Sequence, residues 1–157
     1  MVSSSSDVRQ SESSQSLSYQ GQSPSRAGLN LLHQPAEAAP VDVIFVHALG
    51  GYSKRTWSKN HDPALYWPEQ WFPVELDVGK ARVFSFDYNA NLGTRGGTDI
   101  TRINDFAKEL LYDIAFSRND SLEDLHIGDV PIIFVAHSMG GLVAKQAYVL
   151  GHDDDHY

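Results

Sequence analysis

The stretch Pro131-Ile132-Ile133-Phe134-Val135-Ala136-His137-Ser138-Met139-Gly140-Gly141-Leu142-Val143 decides how this chain is read. Its first half is an almost unbroken apolar, β-branched run, the pattern of a strand buried on both faces of a parallel sheet. Its second half opens a helix whose apolar positions are Leu142, Val143, Tyr148 and Val149, with Gly151 as the expected stop. Between them lies one hydroxyl residue on a sharp turn. A serine so placed has its Oγ exposed, and the helix N-terminus behind it supplies backbone N–H groups and positive dipole. The turn is tight, so the residues two before and two after the serine must be small. They are Ala136 and Gly140. The usual pattern has Gly at the first of these positions, and Ala adds one methyl.

Working outward, two further strands precede this unit, Val41 to His47 and Ala81 to Asp87. Ile103, Phe106, Leu110, Leu111 and Ile114 recur at spacings of three and four, which predicts a helix over Thr101 to Arg118. Strands alternating with helices make a mainly parallel three-layer α/β sandwich. The first strand ends in the Gly-rich segment His47-Ala48-Leu49-Gly50-Gly51. In such a sheet this loop and the Ser138 turn open on the same edge, where ligands bind. A backbone N–H from the loop and the N–H of Met139 then face one developing oxyanion.

The remaining chain bounds the function. Met1 to Pro40 opens with four consecutive serines, runs through SESSQSLSYQGQSPS and closes on QPAEAAP. Without hydrophobic periodicity it is expected to be a disordered leader, residues 1–40, in front of a domain at 41–157. A transit peptide is the sharper reading of its serines and Arg9 and Arg26; Asp7, Glu12 and the lack of an amphipathic stripe oppose it. The net charge of −8 over 157 residues argues against nucleic acid as a partner. The absence of cysteine removes disulfides, thiolate zinc sites and a thiol nucleophile. No apolar run reaches the length of a membrane span, so a soluble, intracellular protein is expected.

The segments VIFVHALGG, TWSKNHDPALYWPEQWFP, ARVFSFDYNA and PIIFVAHSMGGLVAKQA together resemble the α/β-hydrolase superfamily. More narrowly they are similar to the lipase-like serine-active-site-containing proteins of eukaryotes, including fungal members related to GPI inositol-deacylases. The resemblance implies an α/β-hydrolase fold with Ser138 as nucleophile and the Leu49 and Met139 amides as oxyanion hole. It also implies further domains downstream, a cytoplasmic or peripheral place at endoplasmic reticulum or mitochondrial membranes, and no cofactor. Ala48 departs from the family's usual Gly, as Ala136 does from the first Gly of the turn.

What the chain lacks is a base. A hydroxyl becomes a nucleophile when a histidine, oriented by a carboxylate, takes its proton, and in this fold the order is serine, acid, histidine. Only 19 residues follow Ser138. His152, 14 positions on, lies about 21 Å away if the helix is continuous. His156 and Asp153 to Asp155 are no better placed, and the His-x-x-x-His tail reads as a solvated exit rather than a metal site. His137 adjoins the serine but points to the other face. His47, at the mouth of the site, is the better candidate, either as a base or as a residue that shapes the loop. Asp87 orients a histidine or holds a loop. His33, His61 and His126 carry no signal.

Three other features have plain readings. The aromatic block Thr56 to Pro73 is a plug on the sheet edge or a cap forming an acyl pocket. Leu92 to Gly97 lacks the Gly-Lys-Ser/Thr ending of a phosphate cradle. Glu123, Asp124 and Asp129 belong to a solvated connection. The chain thus reads as the amino-terminal portion of a hydrolase domain, cut after the nucleophile helix. Its expected function is hydrolysis of carboxylic, lipid-like esters through an acyl-enzyme on Ser138. The alternative is a catalytically incomplete module used for interaction or signalling.

Overall fold

The structure, a computed structural model, describes residues 26–48, 50–75, 78–89, 99–119 and 121–153. The Ser-rich leader through residue 25, Leu49 and the Leu92–Gly97 loop lie outside the described residues. Four strands make one sheet in the order β1-β3-β2-β4. β1 is Gly28–His33, β2 Asp42–Val46, β3 Arg82–Asp87 and β4 Ile132–Ala136. β2 pairs in parallel with both β3 and β4, matching Asp42 to Arg82 and to Ile132, whereas β1 runs antiparallel to β3.

The near-continuous apolar run of β2 follows from its position, since every residue from Asp42 to Val46 is buried. Alternation sorts its side chains to two cores. Ile44 and Val46, with Phe84 and Phe86 of β3, pack under two helices, α3 (Asp99–Phe116) and α4 (Met139–Asp153). Val43, Phe45 and Val83 face the opposite layer, built by the excursion between β2 and β3. That excursion is a chain of short turns including α1 (Ser53–Thr56) and α2 (Trp67–Gln70). Trp57, Trp67 and Phe72 set their rings edge-on around Phe45, with centroids at 5.3, 5.0 and 5.5 Å. The aromatic block is therefore a plug that closes this face of the sheet.

Three expectations change. First, ordered structure begins well before residue 40, because Gly28–His33 is a strand of the sheet. Leu29 packs in one core and Leu32 in the other, and the register shifts between Leu31 and His33, where His33 is matched to Val83. A bulge of this kind erases the two-residue alternation. β1 is also held from a distance: the Leu29 N–H donates to Asp113 Oδ2 on α3 at 2.9 Å. Second, α4 buries Gly140, Val143, Ala144 and Ala147, leaving Leu142, Tyr148 and Val149 exposed. Small residues let the helix approach the sheet closely, so its inner face is not its most hydrophobic one. Third, α4 runs through Gly151 to Asp153.

At the amino edge of the sheet, Asp42 is fully buried and paired with Arg82, Nε to Oδ1 at 2.6 Å and Nη2 to Oδ2 at 2.8 Å. The parallel register that sets Asp42 opposite Arg82 makes this fork possible. β4 is an edge strand of the described sheet, and its Ile133 is 52% exposed.

Candidate active site at the carboxyl edge of the sheet

Ser138 sits between β4 and α4 with φ +53°, and it is exposed. For a serine this left-handed backbone costs about 1–2 kcal/mol, so the surrounding structure has to impose it. The bonds that do so are short. The His137 N–H donates to the Val46 carbonyl at 3.1 Å, extending the pairing to β2 one residue beyond β4. The Gly140 N–H donates to the His137 carbonyl and the Gly141 N–H to the Ser138 carbonyl, each at 3.0 Å, closing the first turn of α4. Gly140 lies against β2 so closely that a Cβ there would stand 2.4 Å from the Val46 oxygen and 2.5 Å from that of His47. Only glycine fits, and this contact brings the Ser138 turn and the end of β2 together. The Met139 N–H, the first amide of α4, has no acceptor within the helix and is available to a ligand.

The loop after β2 carries the second half of the expected oxyanion site. Leu49 lies outside the described residues; Gly50 follows it with φ +67° and open space around its α-carbon. His47 is fully buried. Its Nδ1 is 2.8 Å from the Ala48 carbonyl and therefore donates to it; its Nε2 accepts from the Tyr88 N–H at 3.2 Å. The ring stacks on Tyr88 at 4.3 Å and 12°, and the Tyr88 hydroxyl donates to the His47 carbonyl at 2.8 Å. Burial lowers the His47 pKa and outweighs the bond to Ala48 and the nearby Asp87 charge. Burial likewise raises that of Tyr88. With both ring nitrogens engaged, at the Ala48 carbonyl and the Tyr88 N–H, His47 shapes the loop.

Asp87 ends β3 and is 5% exposed. Its Oδ1 accepts the Ser53 N–H at 2.7 Å and stands 3.9 Å from His47 Nε2. Oδ2 is buried with no hydrogen-bond partner among the described residues. The Ser53 hydroxyl pairs with the Tyr66 hydroxyl at 2.7 Å, and burial raises the Tyr66 pKa.

The other expected histidines are not brought to the serine. His137 is exposed and turns its ring edge-on to Trp57 at 6.3 Å. His152 is exposed at the far end of α4 beside Asp153. His33 contacts the Gly79 carbonyl, His61 the Arg55 carbonyl, and exposed His126 stands 3.8 Å from Asp129. His156 lies outside the described residues, as do Asp154 and Asp155. Among the described residues no cluster of three His, Asp or Glu side chains is spaced to hold a metal. Tyr88 and Ser53 carry no motif of their own; the signal available for the first was the block Phe86-Asp87-Tyr88 where β3 ends.

Fold and site together define a protein of the α/β class with an exposed serine on a left-handed strand-to-helix turn at the carboxyl edge of its sheet. Among known proteins the chain is similar to Protein SERAC1. It is 28% identical to that of Bos taurus over 139 residues and to that of Homo sapiens over 140, and 30% identical to that of Danio rerio over 142. Each alignment takes in 76% of this chain but 20% of the relative, so the chain spans about a fifth of the length of the relatives it matches. No family model matches.

Proposed function

We propose that this chain is part of a serine hydrolase of the α/β-hydrolase type that acts on carboxylic, lipid-like esters through an acyl-enzyme on Ser138. The observation that carries the reading is the imposed left-handed backbone of an exposed serine whose turn is pressed onto β2 at Gly140. The parallel β3-β2-β4 core with an antiparallel β1 supports the same type. Ser138 Oγ attacks the ester carbonyl, forming a C–O bond. The oxyanion settles on the Met139 amide and on that of Leu49. Collapse breaks the bond to the alcohol, which leaves with a proton, and water then releases the acid. The base and its orienting carboxylate come from further polypeptide, for which the relatives, matched over 20% of their length, leave room. Lipid-like esters are compatible with peripheral contact at a membrane; among the described residues no helix is long and apolar enough to cross one.

The test is labelling by a fluorophosphonate probe. The 157-residue chain should label slowly or not at all, while a polypeptide extended along its reading frame labels rapidly and Ser138→Ala abolishes both labelling and ester turnover without loss of fold. An extended, folded polypeptide that leaves Ser138 unlabelled overturns the proposal. A second reading, a non-catalytic interaction module, draws on one observation: the histidine of the loop after β2, His47, is spent on loop structure.

A further inference from the structure

We propose that Asp87 and Tyr88 are positioning residues that clamp the two ends of the His47–Ser53 loop and so fix where its backbone amides point. A Cβ at Gly50 would meet nothing within 4 Å among the described residues, and Gly50 stands at φ +67°, a conformation that glycine adopts without strain. A glycine loop of this kind has much conformational freedom to lose. Oxyanion donors act only when they are aimed before the charge develops. Fixing the loop's ends narrows the directions those amides can take.

Both ends are tied to consecutive residues of the β3 exit. At the near end the Tyr88 hydroxyl holds the His47 carbonyl at 2.8 Å, and the Tyr88 N–H holds His47 Nε2 at 3.2 Å. The same imidazole reaches forward through Nδ1–H to the Ala48 carbonyl at 2.8 Å. At the far end Asp87 Oδ1 takes the Ser53 N–H at 2.7 Å. All four anchors, His47, Ser53, Asp87 and Tyr88, are 5% exposed or less. A bond from a backbone N–H to a carboxylate is stronger than one to a neutral acceptor. A buried carboxylate with one oxygen unpartnered among the described residues is an unfavourable way to fill space. What this one does is grip the loop. Its function in catalysis rests on the hydrolase reading above; the clamp itself does not.

The experiment separates the two. Amide hydrogen exchange is measured on the intact chain and on Asp87→Ala, Asp87→Asn and Tyr88→Phe, with the β2 amides as internal reference. Asp87→Ala should speed exchange at the Ser53 end by about tenfold or more, the loss of one charge-assisted hydrogen bond, with β2 unchanged. Asp87→Asn keeps an acceptor in place and should restore most of the protection. Tyr88→Phe deletes one hydroxyl, keeps the ring, and should loosen the His47 end alone. Unchanged loop exchange in Tyr88→Phe, or an Asp87→Ala whose β2 exchange rises as much as its loop, overturns the clamp. Should Asp87→Ala fail to fold, Asp87→Asn and Tyr88→Phe still decide it. Fluorophosphonate labelling of the extended polypeptide reads the catalytic consequence separately. There the variants should slow the maximal labelling rate and leave the half-saturating probe concentration unchanged, and an unlabelled wild type removes the hydrolase reading while the exchange result stands.

Discussion

Gly140 and Gly141 are neighbours in the first turn of α4, and alanine at each should have opposite effects. A Cβ at Gly141 meets nothing within 4 Å, so Gly141→Ala changes only the backbone. Removing a glycine from a helix stabilises by about 0.5–1 kcal/mol. At Gly140 the same gain is opposed by steric conflict. The new carbon would lie 2.4 Å from the Val46 oxygen and 2.5 Å from the His47 oxygen, well inside ordinary contact distance. Both atoms belong to backbone fixed in the sheet, so α4 has to withdraw from β2. Overpacking of this sort costs about 1–3 kcal/mol, and rigid oxygens put it at the upper end. The net is a loss of about 2 kcal/mol in Gly140→Ala and a difference of about 3 kcal/mol between the two variants. Urea titration followed by circular dichroism reads it as midpoints moving in opposite directions at constant slope. Equal midpoints, or a Gly140→Ala as stable as the parent, would refute the close approach that fixes the Ser138 turn.

Arg82→Met leaves Asp42, which is fully buried, without its cation; a loss of about 3–5 kcal/mol is expected in chemical denaturation, and a loss below 1 kcal/mol would mean the pair is not buried as described. His47 stays neutral because burial holds its pKa below the ordinary 6.5. The unfolded chain therefore takes up a proton that the folded one refuses, so this contribution is complete above pH 6.5 and is lost as pH falls toward the folded pKa. Comparing urea midpoints of the parent and His47→Gln at about pH 7.5 and about pH 5 should show the smaller acid loss in the variant, the difference bounded by about 1.4 kcal/mol per pH unit. Ile133→Lys on the exposed face of edge strand β4 should lower concentration-dependent association in sedimentation velocity; unchanged association would place the sticky surface elsewhere.

The legible parts of the fold were those in which pattern and partner lie close together. The runs through Val43-Ile44-Phe45-Val46 and Ile132-Ile133-Phe134-Val135 announce parallel strands because burial on both faces needs apolar side chains at every position. The helix over Asp99–Phe116 was readable within two residues from its three-and-four spacing. β1 was hidden: its segment Leu29-Asn30-Leu31-Leu32 breaks alternation at a bulge, and the strand it pairs with lies more than fifty residues away in sequence. The inner face of α4 was misread for a related reason. Hydrophobicity identifies the face that gains most by leaving water, whereas this helix turns its smallest residues inward to approach β2.

The sequence by itself determined the α/β class and the tight turn with Ser138 between small residues, because period, branching and residue size are local properties of the chain. The tertiary structure alone decided what surrounds that turn. It set Gly140 against the Val46 and His47 carbonyls and brought Asp87 and Tyr88 to the two ends of the loop after β2. It also took both nitrogens of His47 into loop structure, leaving no histidine hydrogen-bonded to Ser138 among the described residues. Apart from the His47–Ala48 bond, these contacts join residues 34 or more positions apart in sequence. Their geometry depends on strand order and register, which no local pattern encodes, since a one-residue slip turns every side chain to the opposite face.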